Sequence, residues 1–338
     1  MNDEAFTETT IEIESAGYRL QGTLTLPTSD VLENTQNNNA TKAVVLLLTD
    51  NGPLDRNQNT LQAQLNIFNQ MAEHLAANSI ASLRYDKRGC GLSKGKFDAA
   101  GHSDLVLDAK AWLSYLTRAP DLNNLPIHVL GHGEGAVIAA QLCTSHSNIV
   151  SQVLLTPFVE NYESIIRRQA ENALRDIAEL EGFKGKLIRF FLRINGDQLA
   201  KQRKLITKIL KSRRDTLKIR KQVINAKWIR EMVNLDTENI YAQVSTPTLI
   251  IGGEKDLQCL PEDTPKIASL LKGPVHHHVL SDLTHILRAD PKTPSIQHYL
   301  MLSIEDVDAR ILDQLVQWFN TDKDNLAKCD DNEPLDAI

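Results

Sequence analysis

The chain has 338 residues, 42% of them apolar, and carries 37 Lys or Arg against 43 Asp or Glu for a net charge of −6. That length suits one large domain with an insertion, or two small domains, and the acidic balance argues against nucleic acid as a partner. No run approaches the roughly 18 apolar residues of a transmembrane helix, and the polar, acidic start MNDEAFTETT is not read as a secretory signal. Cys90, Cys143, Cys259 and Cys329 show no C-x-x-C spacing, so reduced, packed thiols and a cytoplasmic location are expected.

Taken in order, Thr9 to Leu26 alternates apolar and polar residues around Ser15-Ala16-Gly17, the pattern of an antiparallel hairpin. Ser29 to Thr41 is Asn-rich and reads as a surface loop. AVVLLL, Ala43 to Leu48, is a continuous apolar run, as expected of a strand covered on both faces. Leu61, Leu65, Phe68, Ala72 and Leu75 recur at helical spacing. Ile80 to Tyr85 reads as a strand, and Ser103-Asp104 as the cap of a helix bearing Leu105, Ala109, Trp112 and Leu116. Ile127 to Leu130 and Val153 to Thr156 are further strands, with a helix start at Ala136 to Leu142 between them. Phe158 to about Thr237 is one helix-favouring tract without a good strand. Strands resume at Thr248 to Ile251 and Val275 to Leu280. A last helix carries Val307, Ile311, Leu315 and Phe319 behind a possible Ser303/Asp306 capping box.

A hairpin followed by alternating strands and helices predicts an α/β fold with a mostly parallel, doubly wound sheet. The helical tract reads as a cap over the carboxyl ends of the strands, where open α/β sheets bind ligands. The expected division is a core at 1–157 and 241–320, a helical basic cap at 158–240, and an acidic flexible tail at 321–338.

The chemistry is concentrated after the strands. LGHGEG, Leu130 to Gly135, has the strand–turn–helix context of a G-x-S-x-G nucleophile elbow, with Gly133 at the nucleophile position. TDNGPLDRN (Thr49 to Asn57) can aim backbone N–H groups at an oxyanion. RYDKRGCGLS (Arg84 to Ser93) follows the next strand. IIGGEKDLQC (Ile250 to Cys259) places Asp256 at a strand end, and DLTHILR (Asp282 to Arg288) places His285 on a loop.

Together these stretches resemble the bacterial α/β-hydrolase esterases of the serine-aminopeptidase-like branch, over most of the chain except the cap. The resemblance implies the α/β-hydrolase fold, with Asp256 as triad acid and His285 as triad base. It also implies an oxyanion hole formed by Asn51 or Gly52 together with Glu134. Two departures stand out. Gly133 replaces the nucleophilic serine, and Asp50 brings a carboxylate to the oxyanion turn, where it opposes developing negative charge if it points inward.

Other candidate residues carry less. Cys90 and Cys259 lie on loops near strand ends but not at an elbow. His276, His277 and His278 are consecutive on a strand and point to alternating faces, so they do not share one ion. His132 and Glu134 are read as structural. No metal and no cofactor are expected.

From Lys184 to Arg230 the cap holds 16 basic residues and only Asp197 and Asp215 as acids, with Leu187, Ile188, Phe190, Phe191, Leu205, Ile209, Ile219, Val223 and Trp228 interleaved. The candidate partners are a small acyl or anionic ligand steered to the site, an anionic membrane surface, or an acidic protein face.

Three functions remain open from the residues. The chain is a pseudo-hydrolase of carboxylic-ester-hydrolase lineage that keeps a ligand pocket. Or it is a non-covalent hydrolase, lyase or decarboxylase with His285–Asp256 as general base. Or Gly133 is a nucleophile knock-out of an active serine esterase or thioesterase.

Overall fold

The computed structural model describes residues 5–28, 31, 41–194, 196–219, 221–321 and 323–326. Most of the Asn-rich stretch after Ser29, and the tail from 327 with Cys329, lie outside the described residues.

The first two strands, β1 (Phe6–Ser15) and β2 (Tyr18–Pro27), pair antiparallel. Their turn uses Ala16 and Gly17, both at positive φ, as a two-residue hairpin requires. Then come β3 (Ala43–Leu48), α1 (Ile67–Ala77), β4 (Ile80–Tyr85), α2 (His102–Leu116), β5 (Ile127–His132), α3 (Glu134–Ser145) and β6 (Ile149–Leu155). An insertion follows, made of α4 (Tyr162–Glu179), α5 (Gly182–Ile194), α6 (Gln198–Lys211), the hairpin β7 (Thr216–Ile219) and β8 (Gln222–Asn225), and α7 (Ala226–Val233). After α8 (Thr237–Tyr241) the core closes with β9 (Thr248–Gly253), α9 (Asp263–Leu270), β10 (Val275–Leu280), α10 (Ile296–Leu302) and α11 (Ala309–Asn320).

The main sheet has eight strands in the order β1-β2-β4-β3-β5-β6-β9-β10. The strands from β4 to β10 run parallel, and β2 meets β4 antiparallel. Strand β3 shows why its sequence is uniformly apolar. Val44, Leu46 and Leu48 enter one core with Trp112 and the α2 and α3 helices. Ala43, Val45 and Leu47 enter the other with Phe68, Met71 and the α11 residues Ile311 and Leu315. Both faces are covered, so neither set of alternating side chains can be polar. This is the α/β-hydrolase fold with an inserted helical cap.

Several local expectations need correction. Helix α1 starts at Ile67, because Asn66 takes a left-handed conformation there, and Leu61 is 99% exposed. Gly101, not Ser103, occupies the N-cap of α2, and the Asp104 carboxylate accepts the Gly101 N–H at 2.7 Å. The cap contains a strand pair, β7–β8, which was not expected. It is held to the core where Asn225 Nδ2 donates to the carbonyls of Phe97 (2.8 Å) and Ala100 (2.7 Å). Helix α11 is capped by Asp308, which accepts the Arg310 N–H at 3.0 Å. Val307 therefore precedes the helix, and Ser303 caps the end of the unexpected α10.

Asp86 joins two of the loops that carry the site. Its carboxylate accepts the Arg56 guanidinium at 2.6 and 3.1 Å, the Arg56 N–H at 2.8 Å and the Leu92 N–H at 2.8 Å. A buried carboxylate with this many donors clamps the turn after β3 to the loop after β4. Replacing Asp86 with Ala leaves Arg56 without its partner and is expected to cost about 3–5 kcal/mol in urea unfolding. A cost near zero would show that the clamp is not holding the loops.

Candidate active site

The elbow is intact in its backbone. Gly133 sits between β5 and α3 at φ 53° and ψ −113°. A Cβ on Gly135 would overlap the Leu48 carbonyl, and one on Gly131 would overlap the backbone of Gly135. The flanking glycines are thus needed for the close approach of helix to strand, whatever residue stands at 133.

The space above Gly133 belongs to Asp50. A Cβ built on Gly133 would overlap Asp50 Oδ1. That oxygen accepts the backbone N–H of Glu134 at 3.0 Å, the N–H expected to hold an oxyanion. Asn51 also donates its backbone N–H to the Asp50 carboxylate. The other oxygen, Oδ2, accepts from His285 Nε2 at 2.9 Å. On the far side of the ring, His285 Nδ1 donates to Asp256 Oδ2 at 2.8 Å. Asp256 Oδ1 is itself held by the N–H groups of Gln258 (2.6 Å) and Cys259 (2.9 Å). Asp50, Asp256 and His285 are thereby brought together, with His285 2% exposed.

The electrostatics follow from this sandwich. Burial alone would push the His285 pKa down, but Asp256 and Asp50 outweigh it and hold the imidazolium well above its ordinary range. Burial alone would raise the Asp50 pKa, but the His285 charge and hydrogen bond pull it far below the usual carboxylate value. The Asp50–His285 contact is therefore a carboxylate–imidazolium pair.

The remaining oxyanion residues sit differently from the expectation. Gly52, at φ 95°, turns its carbonyl toward Lys87 Nζ at 3.4 Å, and the same ammonium donates to the Asp50 carbonyl. Lys87 lies 3.7 Å from Glu134 Oε2. Glu134 Oε1 also accepts from His102 Nδ1 (2.8 Å) and from the cap residue Trp228 Nε1 (2.7 Å). Burial works against the Glu134 anion, but Lys87 and His102 lower its pKa nonetheless. The elbow is thus wired to helix α2 and to the cap.

His132 packs against His285 with ring centroids 4.9 Å apart and the ring planes tilted by 33°. Its Nε2 lies 2.8 Å from the His285 carbonyl and its Nδ1 lies 2.8 Å from Gln58 Oε1, an acceptor at each nitrogen. Burial brings its pKa down to about 4. Tyr299 is a positioning residue that sequence reasoning missed. Its hydroxyl accepts the N–H groups of Leu257 (2.9 Å) and His285 (3.1 Å) and donates to the Lys255 carbonyl (2.7 Å). It ties the acid loop to the histidine loop from a helix with no motif of its own. Lys87 could have been found, since it lies in the RYDKRG stretch.

The cysteines are not poised as nucleophiles. Burial pushes the Cys90 thiol up to about 11 and the Cys259 thiol to about 12. Two sets of potential metal ligands occur among the described residues, Asp50/His132/His285 and Asp256/Cys259/His285. Both need His285, whose two nitrogens are already committed to carboxylates. His276, His277 and His278 lie on β10 and belong to neither set.

Comparisons with known proteins follow the same lines. No curated protein matches the chain. Among solved structures, the α/β hydrolase GrgF from Penicillium sp. sh18 superposes with a TM-score of 0.60 at 16% identity, over 93% of this chain and 98% of that one. Esterase Pf2001 of Pyrococcus furiosus gives 0.55 at 17% identity over 94% of both chains. Est1E of Butyrivibrio proteoclasticus, solved with ferulic acid bound, gives 0.56 at 15% identity over 91% and 97%. At such identities these likenesses carry the fold alone. The family profile described as serine aminopeptidase, S33, matches residues 61–292, a span that contains Gly133, Asp256 and His285 and begins after Asp50. The chain belongs to the serine aminopeptidase S33 family, on an α/β-hydrolase fold shared with esterases.

Proposed function

We propose that this protein is a pseudo-hydrolase of carboxylic-ester-hydrolase lineage, closed to acyl-serine chemistry and retaining a small-molecule acyl site beneath the cap. One observation carries the reading: the Asp50 carboxylate takes the Glu134 N–H with one oxygen and His285 Nε2 with the other. An acid released by ester hydrolysis would occupy the same two groups. Asp50 is thus a built-in product mimic that fills the oxyanion position with a full charge.

The two alternatives fare less well against this geometry. A general base needs a neutral imidazole with a free nitrogen, whereas His285 is charged and engaged on both sides. A lone knock-out of serine would leave the rest of the site ready for one, whereas a side chain at 133 meets Asp50. Gly133 and Asp50 are complementary replacements. The aromatic residues Tyr162 and Trp228 pack edge to face with centroids 4.9 Å apart, and Trp228 Nε1 donates to Glu134 Oε1, which puts an apolar pair of rings beside the turn at Gly133.

Gly133→Ser alone is therefore expected to stay inert toward p-nitrophenyl esters and a fluorophosphonate probe. Gly133→Ser combined with Asp50→Gly frees both the oxyanion N–H and His285, and is expected to label and to turn over. Circular dichroism checks that each variant folds. Ester turnover by the unaltered chain, lost on His285→Ala, would sink the pseudo-hydrolase reading in favour of water activation.

A pH dependence follows from the ion pair. The raised His285 pKa contributes stability that is complete below its ordinary value of 6.5 and is lost as pH rises through the folded value. The lowered Asp50 pKa contributes stability complete above its ordinary value of 3.8 and lost as pH falls through the folded value. The thermal-stability gap between the unaltered chain and Asp50→Asn is expected to be widest between pH 3.8 and 6.5 and to narrow on either side. In ¹⁵N NMR the His285 ring should remain doubly protonated above pH 6.5, with a lower pKa in Asp50→Asn. A neutral ring at pH 6.5 in the unaltered chain would refute the charged sandwich.

A further inference from the structure

Helix α5 has its amphipathic character turned inside out. At 3.6 residues per turn, Phe183, Leu187, Phe190 and Ile194 fall within an arc of about 60°. In a surface helix such a stripe normally faces the core. Here all four are exposed, Phe183 to 80% and Ile194 to 65%. The opposite side is the one that docks. Gly185 is buried, and a Cβ there would overlap the Leu180 carbonyl. Arg189 Nη1 donates to the carbonyls of Leu180 (2.6 Å), Ala178 (3.2 Å) and Ile177 (3.4 Å), at the C-terminal end of α4. The helix is thus anchored by polar backbone contacts on its inner side and presents its apolar stripe outward.

The charges around the stripe select what covers it. Lys186 and Arg193 are exposed on its flank. Elsewhere in the cap, the next helix and the start of the hairpin form a second basic feature, a groove lined by Lys204, Lys208, Lys211 and Arg214. The span from Lys184 to Arg230 holds 16 basic and 2 acidic residues, while the rest of the chain holds 21 and 41. Over the whole cap, 158–240, the count is 19 basic and 11 acidic residues, against 18 and 32 in the rest of the chain, so the cap is net positive and the remainder net negative. A negatively charged surface attracts the cap and repels the body, which orients the protein cap-first.

We infer that α5 is an in-plane anchor that seats the cap on an anionic phospholipid surface. The apolar stripe enters the boundary between headgroups and acyl chains, and the flanking cations meet lipid phosphates. The helix lies in the surface and does not cross it. Its 13 residues make a rod of about 20 Å, shorter than the roughly 30 Å of hydrocarbon. No helix of the described residues is long and apolar enough to span a membrane. A second copy is a poorer occupant, because a symmetric contact on this stripe sets Lys186 and Arg193 near their own duplicates. The inference is independent of the chemistry at Asp50.

The test is sedimentation of the full chain with vesicles of phosphatidylcholine alone and of phosphatidylcholine mixed with phosphatidylglycerol. Binding is expected to the mixed vesicles, at least about tenfold over the neutral ones, and to weaken with added salt. The double variant Phe183→Glu/Ile194→Glu should lose about tenfold or more of that binding. The double variant Lys186→Glu/Arg193→Glu should lose the preference for anionic lipid. Both pairs are at the surface, so circular dichroism and thermal midpoint should not move. Three results overturn the inference: no binding to the mixed vesicles, equal binding to both kinds, or binding that survives Phe183→Glu/Ile194→Glu. A dimer in sedimentation equilibrium that this variant splits, without vesicle binding, assigns the stripe to a second copy instead.

Discussion

The site depends on one buried carboxylate. Asp50 fills the space above Gly133 and joins the Glu134 N–H to His285 Nε2. An unpaired carboxylate there would be very costly, so its presence requires the imidazolium beside it. The imidazolium in turn requires Asp256 on its other face. Glycine at 133 is the condition for all three, since any side chain at that position would meet Asp50. The site is one charge arrangement of four interdependent residues.

The surroundings are built to hold that arrangement still. Asp86 and Arg56 clamp the turn that carries Asp50. Lys87 takes up the carbonyls of that turn and faces Glu134. Tyr299 joins the loops of Asp256 and His285, and His132 supports His285 from below through its backbone carbonyl. Each group is buried or half-buried and tied to a group from another loop, which couples the positions of the loops. Glu134 extends the network to Trp228 in the cap. The cap is thus tied to the turn at Gly133 by that hydrogen bond, while α5 turns Phe183 and Ile194 toward solvent.

The strands were the most legible part of the sequence. Ala43 to Leu48, Ile80 to Tyr85 and Val275 to Leu280 coincide with β3, β4 and β10. The continuous apolar run of β3 has few other ways to be buried. Helix starts were less legible. The spacing of Leu61 and Leu65 continues the α1 stripe on paper, but Asn66 breaks the backbone before it. The β7–β8 hairpin was hidden because its apolar residues are diluted by Lys and Arg and its support comes from Phe97 and Ala100, remote in the chain. Tyr299 was invisible for the same reason: its role exists only where two distant loops meet.

The sequence by itself determined the fold class, the tight glycine turn between β5 and α3, and the identity of Asp256 and His285 as partners, because those properties reside in local pattern and motif order. It also placed a carboxylate at the oxyanion turn. Only the tertiary structure decided where that carboxylate points, because the direction of Asp50 is set by the N–H of Glu134 and the ring of His285, which are 84 and 235 residues away in the chain. The same holds for α5. Its amphipathic pattern is written in the sequence, but which side faces outward was decided by Gly185 and Arg189 docking on the end of α4.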